Sequence, residues 1–175
     1  MRFLISILIV GLFSYADGIY DLSFKTIDGK TVPVSSFKGR KVLFVVLPFS
    51  PTDTILPASA LKSVQTKYRS LVIIGIVSVE AGFKKADREK IKTQYKNMLP
   101  GFILTETIKA TKAAGKDQDP VLQWLTHRQL NTHFNEDAKA PGYKFFIDEK
   151  GELYGMLDPG VKISSAFVDK VIRRK

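Results

Sequence analysis

Residues 42–47 form the feature that most constrains the fold of this chain. They are six consecutive apolar residues, Val-Leu-Phe-Val-Val-Leu, and three of them are β-branched valines. Such a run suits a strand that is covered on both faces. A proline-containing turn at residues 48–54 follows, and an amphipathic segment begins near Pro57. The pattern predicts a buried strand, a turn and a helix, and the carboxyl end of such a strand is where open α/β folds usually place ligands and nucleophiles.

A second apolar run at residues 71–77 predicts another buried strand. Between the two runs, Ala60, Leu61, Val64 and Tyr68 recur at helical spacing on one side of the connecting segment. Two buried strands joined by one helix favour a right-handed βαβ unit in which the strands are neighbours.

Shorter patterns predict the other elements. Residues 19–34 alternate loosely between apolar and polar types around Asp28-Gly29, a pair that is typical of a hairpin turn. The elements predicted further along are a helix at residues 84–99, a short strand at 102–104, a helix begun by Asp119 and Pro120, a hairpin at 143–157, and a C-terminal helix.

The C-terminal helix is predicted from a single apolar face. Ser164 precedes this helix, and we expect its hydroxyl to accept a hydrogen bond from a free amide of the first turn. The last residues are cationic, as the helix dipole favours at that end. The apolar face consists of Ile163, Phe167, Val168, Val171 and Ile172.

Residues 1–16 have the pattern of a secretory signal peptide. Arg2 supplies one positive charge, an apolar stretch follows, and Ser14 and Ala16 place small residues where a signal peptidase reads them. The stretch is shorter than the roughly twenty residues that span a bilayer. We expect cleavage after Ala16, a secreted or periplasmic protein that does not span a membrane, and a single domain at residues 17–175. An N-terminal buried strand or membrane anchor is the alternative.

Cysteine is absent from all 175 residues. Disulfides, thiolate nucleophiles and thiolate metal sites are therefore excluded in any compartment.

Four short segments match the motifs of one enzyme family in order. They are IYDL at 19–22 with its Asp-Gly turn, SSFKGR at 35–40, DPVLQWL at 119–125 and FFIDEKG at 145–151. Through these segments, residues 19–174 resemble the glutathione peroxidases. The resemblance implies an α/β, thioredoxin-like fold, with a central mixed β-sheet flanked by helices and an N-terminal β-hairpin.

The same resemblance assigns the family's catalytic groups to residues that cannot replace them. The peroxidatic cysteine or selenocysteine falls on Pro51, or on Ser50 if the loop carries a gap. The family's glutamine falls on Glu80, and its Trp-Asn pair falls on Ala140 and Pro141. These five residues are therefore vestigial positions. The pattern leaves open whether the peptide bond before Pro141 is cis, as in many thioredoxin-like proteins, or trans.

Two hypotheses about function follow. In the first, the chain is an exported relative that has lost the catalytic site and is retained as a binding or structural module. In the second, it is still a peroxidase or oxidoreductase of the family, with a role in the response to oxidative stress, acting by an unrecognised route. An introduced Cys→Ser change at Ser50 or Ser78 would also remove the thiol, but Glu80 and Ala140 favour natural loss.

Other catalytic and metal-binding patterns are weak. His127 and His133 are six residues apart, which places them on different faces of any helix. The sequence has neither a G-x-S-x-G nucleophile elbow nor a glycine-rich phosphate loop. We therefore expect neither a metal nor a cofactor.

The net charge of +10 favours an anionic partner. Lys84, Arg88, Lys92 and Lys96 are spaced by four and form one basic stripe on the predicted helix. After export, the stripe would contact an acidic protein, a polysaccharide or an anionic membrane surface, and nucleic acid is not expected. The alternative is a solvated face whose positive field is diluted by neighbouring acids.

Replacing all four cations of the stripe with glutamine should lower retention on heparin or on anionic liposomes. Each cation contributes about 1 kcal/mol near an anionic membrane, within about a Debye length of its surface. Binding of the unaltered chain should fall steeply with added salt. Equal retention of the two proteins would show that the stripe is only a solvated face.

Overall fold

A computed structural model describes residues 18–99 and 101–174 of the chain. The predicted signal peptide at residues 1–16 and its cleavage point lie outside this part. Within the described residues, no helix has the length and apolar character needed to cross a membrane.

The strands form one five-stranded sheet and one separate hairpin. In the large sheet the order is β5-β4-β3-β6-β7. Strands β3, β4 and β5 are mutually parallel, whereas β6 is antiparallel to β3 and β7 is antiparallel to β6. The strands are β1 (Ser23–Lys25), β2 (Thr31–Pro33), β3 (Val42–Val46), β4 (Val72–Ser78), β5 (Ile103–Ile108), β6 (Lys144–Ile147) and β7 (Leu153–Leu157).

Helices cover both faces of this sheet. They are α1 (Ala58–Lys67), α2 (Arg88–Met98), α3 (Pro120–Thr126), α4 (Arg128–Asn131) and α5 (Ala166–Arg173). The predicted class, a thioredoxin-like α/β fold with a central mixed sheet and an N-terminal hairpin, is confirmed.

Strand β3 explains why the run at residues 42–47 is apolar throughout. Leu43, Val45 and Leu47 point into a core that also contains side chains of α1, α2 and α5. Their neighbours Val42, Phe44 and Val46 point into a second core under α3 and the hairpin. Each of the six side chains is at most 1% exposed. Successive residues of a strand face opposite sides, so a strand buried on both sides has no position for a polar residue.

Two boundaries differ from the sequence predictions, and the conformation of one proline, which the sequence left open, is defined. Helix α2 begins at Arg88, and Lys84 has an extended backbone, with φ −119° and ψ 148°, before a short 3₁₀ turn at Lys85–Asp87. Strand β5 continues to Ile108. The described residues contain no cis peptide bond, so Pro141 is trans.

The start of α5 corrects two expectations. Ser165, and not Ser164, caps this helix by accepting a hydrogen bond from the Val168 amide at 3.3 Å. Phe167, expected on the apolar face, is 55% exposed, because Val168 and Ile172 one turn apart define the buried side. The predicted start of α3 is confirmed, since the Asp119 carboxylate accepts from the Val121 amide at 2.9 Å.

Gly75 in the middle of β4 should not tolerate a side chain. A Cβ at this position would lie 2.7 Å from Leu47 Cδ1 and 2.9 Å from Leu104 Cδ2, and both leucines are buried. Gly75→Ala should therefore lower the free energy of unfolding by about 1–3 kcal/mol, measured by urea denaturation. Gly18→Ala is the control, because a Cβ at Gly18 has no neighbour within 4 Å. Equal stability of both variants would contradict this account of the packing.

Candidate functional site at the carboxyl edge of the sheet

The strand order brings all five vestigial positions to one edge of the sheet. Ser50 and Pro51 follow β3, and Glu80 follows β4. Parallel strands end on the same side, and β6, being antiparallel to β3, begins there, just after Ala140 and Pro141. Two hydrogen bonds mark this edge: Leu47 N to Ile76 O at 3.0 Å, and Gly142 N to Val46 O at 2.8 Å. The elements that carry the five positions therefore converge here.

The turn after β3 is closed by its own hydrogen bonds. The Ser50 carbonyl accepts from the Asp53 amide at 3.1 Å, and the Pro51 carbonyl accepts from the Ala58 amide at 2.9 Å. The Asp53 carboxylate accepts from the Ile55 amide at 2.8 Å. On the inner side, the hydroxyl of Tyr95 in α2 donates to the Pro48 carbonyl. The turn is therefore a fixed structure tied to the core.

Ser50 has an exposed side chain, and within the described residues no base accepts a hydrogen bond from its hydroxyl. Its hydroxyl lies 2.9 Å from the Thr52 hydroxyl. A serine becomes nucleophilic when a neighbouring base accepts its proton, and a second hydroxyl is too weak a base for that. Pro51 offers no ionisable group at all.

Glu80 has a structural task in this fold. Both of its carboxylate oxygens lie 3.1 Å from the Ala110 amide, and one also accepts from the Thr111 amide at 3.3 Å. Partial burial raises the pKa of Glu80, but these hydrogen bonds outweigh it and hold the pKa below its usual value. The carboxylate thus fastens the segment after β5 to the end of β4.

The predicted basic stripe is divided by an acidic residue of the hairpin turn. Lys92 Nζ lies 2.9 Å from the Asp28 carboxylate, and Lys96 also binds Asp28. Hydrogen bonds from Lys96 and Lys92 lower the pKa of Asp28 to about 2. The other two cations of the stripe lie elsewhere: Lys84 precedes the helix, and Arg88 is its first residue. Anion binding by the stripe stays a prediction.

The two histidines lie in different surroundings. His127 Nδ1 lies 2.9 Å from the Gln123 carbonyl and 3.1 Å from the Thr126 hydroxyl, and His133 is exposed. In the part of the chain that the structure describes, no three His, Cys, Asp or Glu side chains are grouped to hold a metal ion.

Comparison with known proteins finds one related sequence and several similar folds. No family model matches the chain. Glutathione peroxidase 2 of Sapajus apella is 26% identical over 137 residues, which cover 75% of this chain and 72% of the relative. Trgpx in its apo form superposes with a TM-score of 0.62 at 19% identity, covering 89% of this chain and 93% of Trgpx. T. cruzi GPX1 gives a TM-score of 0.63 at 15% identity, with 89% and 94% covered.

This chain is similar in sequence to a glutathione peroxidase and has a thioredoxin-like fold. A thiol:disulfide interchange protein from Chlorobium tepidum TLS shares the fold more distantly, with a TM-score of 0.57 at 19% identity over 87% of this chain and 90% of that one. The absence of cysteine fits the loss of the family's catalytic thiol.

Exposed apolar side chains surround the edge. Phe49 is 41% exposed, Ile55 44% and Val79 48%. The Phe49 ring lies 5.3 Å from the ring of buried Phe83, and the ammonium group of Lys90 lies 5.5 Å from the Phe49 ring centre. This surface could not be predicted from the sequence, because an apolar residue in a loop can be either buried or exposed.

Lys144 in β6 was also missed. It is fully buried, and its ammonium group donates to the Gly142 carbonyl at 2.6 Å and to the Asp158 carbonyl at 3.1 Å. Burial lowers the pKa of Lys144 to about 8, although the negative charge of Asp158 acts in the opposite direction. One sequence feature could have indicated a buried lysine: Lys144 directly precedes the apolar residues of a predicted strand.

Lys144 should make the stability of this protein rise with pH. Below about pH 8 the Lys144 amine is protonated in both the folded and the unfolded protein. The full free-energy cost of burying its positive charge then lowers the stability of the fold. Between pH 8 and the ordinary pKa of 10.5, the unfolded state binds more protons, so the free energy of unfolding rises. Relative to Lys144→Met, the wild type should gain about 3 kcal/mol over this range, at ~1.4 kcal/mol per unit.

The measurement is urea denaturation of both proteins at several pH values. Exposed Lys139→Met controls for the removal of one lysine. A constant difference between the wild type and Lys144→Met would contradict the lowered pKa.

Proposed function

We propose that this protein is an exported, non-catalytic binding module of the glutathione peroxidase-like group. One observation carries the proposal: the turn after β3, where the family bears its thiol or selenol, contains Ser50 and Pro51. The proposal includes removal of residues 1–16 and a single domain at residues 17–175.

The chemistry of peroxide reduction explains why this turn cannot perform it. A thiolate attacks one peroxide oxygen, the O–O bond breaks, an alcohol or water leaves, and the sulfur becomes a sulfenic acid. Each turnover then needs a reductant to return the sulfur to the thiol. A serine hydroxyl remains protonated near neutral pH and forms no equivalent oxidised intermediate, and proline has no group to offer.

The other three vestigial positions support the loss of catalysis. The Glu80 carboxylate is occupied by two backbone amides, as described above. At Ala140 and Pro141 the chain offers no side-chain hydrogen-bond donor in place of the family's Trp-Asn pair. A single replaced position can be compensated, whereas three replaced groups remove nucleophile and supporting donors together.

The exposed surface around the edge supports a binding role. Phe49, Ile55 and Val79 are large apolar side chains that are exposed to water. Exposed apolar groups that occur together on a surface mark interaction sites. Lys90 beside Phe49 and the net charge of +10 favour a negative partner. Among the anionic partners named above, an acidic protein fits best, because it supplies apolar as well as charged contacts.

The purified protein should not consume hydroperoxide with glutathione or with thioredoxin as reductant. Ser50→Cys and Pro51→Cys should react no faster than Thr66→Cys, a control that places a cysteine on the exposed side of α1. The reason is that a thiol alone lacks the supporting groups that the edge has lost. A cysteine-containing glutathione peroxidase serves as the positive control.

Turnover by the wild type above that of heat-inactivated protein would refute the loss of catalysis. Fast turnover by Ser50→Cys alone would show instead that the edge still supports the reaction and that only the thiol is missing.

A further inference from the structure

A cavity of about 190 Å³ lies between the N-terminal hairpin turn, the segment that leads into α2, and strand β5. It is a different place from the former catalytic site, since none of the five vestigial positions lines it. Its lining residues are Thr26, Ile27, Gly29, Lys85, Arg88, Glu106 and Thr107.

Three charged side chains face this cavity without neutralising one another. Lys85 and Arg88 are cationic, and Glu106 is anionic. Across residues 18–99 and 101–174, neither cation lies within 4.0 Å of the Glu106 carboxylate. The acid nearest to Arg88 is Glu89, at the limiting distance of 4.0 Å. Lys92 and Lys96 on the same helix differ, because Asp28 pairs with both of them.

The rest of the lining suits a small polar ligand. Thr26 and Thr107 are nearly buried and contribute hydroxyl groups, while Ile27 supplies an apolar side chain that is 3% exposed. At Gly29, an added Cβ would lie 3.7 Å from an Arg88 terminal nitrogen, so the guanidinium group rests close to the turn backbone. Opposite charges thus face a common space that also offers hydroxyl groups and an apolar wall.

A second cavity of about 360 Å³ adjoins the first along β5. The two share Lys85, Glu106 and Thr107, and the second continues to Asp119 and Pro120. A ligand held in the first cavity therefore has room to extend part of its structure into the second. The first cavity alone is smaller than the roughly 300–1,000 Å³ that drug-sized ligands occupy.

We propose that the first cavity binds a small zwitterion of the size of an α-amino acid. Lys85 and Arg88 hold its carboxylate, because a guanidinium group can donate two parallel hydrogen bonds to a carboxylate. Glu106 holds its ammonium group, and the ligand side chain extends toward the second cavity. A zwitterion satisfies both signs of charge at once, whereas a simple anion would leave its negative charge beside Glu106. The site uses no residue of the former catalytic edge, so it goes beyond the function proposed above.

Calorimetric titration of the purified protein with each of the common α-amino acids tests this proposal. At least one should bind at millimolar concentration or below. The matched carboxylic acid, which lacks the ammonium group, and the matched amine, which lacks the carboxylate, should each bind about tenfold more weakly or worse, as expected for a lost hydrogen bond to a charged group.

Single substitutions assign the two ends of the ligand. Arg88→Gln and Lys85→Gln should weaken binding of the amino acid about tenfold. Glu106→Gln should weaken it as well and should remove the preference for the amino acid over the matched carboxylic acid. The controls are Lys62→Gln and Glu152→Gln, which change exposed residues outside the lining and should leave the affinity unchanged. A thermal melt of each variant verifies that it is folded.

Three results would overturn the proposal. The first is that no amino acid binds at millimolar concentration. The second is that the carboxylic acid or inorganic sulfate binds as well as the amino acid, which would indicate general attraction of anions to a basic protein. The third is that Lys62→Gln weakens binding as much as Arg88→Gln. None of these depends on the peroxidase assay, so this site and the non-catalytic role can fail separately.

Discussion

The burial of strand β3 on both faces is the constraint on which the rest of the structure depends. Alternate side chains of one short strand fill two separate cores, one with α1, α2 and α5 and the other with α3 and the N-terminal hairpin. Because β3 is central, β4 and β6 must pair with its two edges, one parallel and one antiparallel. Those pairings decide which loops meet at the carboxyl edge. The location of the candidate site is thus a consequence of packing, independent of any chemistry at this edge.

Local patterns in the sequence were sufficient for most of the fold. The two apolar runs predicted β3 and β4, and the Asp28-Gly29 pair predicted the first hairpin, because strand burial and turn conformation depend on few neighbouring residues. The errors lie at element boundaries, mostly at helix starts. Helix α2 begins later than its charge pattern suggested, and α5 is capped by Ser165, since the cap is chosen by the backbone path into the helix and two adjacent serines offer the same chemistry.

The candidate site was predictable only in part, for a physical reason. The resemblance indicated which positions to examine, and the sheet topology brings their elements together. What each residue does there depends on contacts with distant segments. Glu80 binds amides thirty residues away in sequence, Asp28 neutralises lysines of α2, and Lys144 is buried by the loop that contains Asp158. A single sequence carries no local signal for such pairings.

The Glu80 contacts have a consequence for the substitutions that this position tolerates. A glutamine there would keep one oxygen acceptor, but it would lose the charge that strengthens the bonds to the Ala110 and Thr111 amides and would add an amide group facing those donors. It would therefore loosen the segment after β5. Stability alone thus selects for a carboxylate at residue 80, whatever the edge binds.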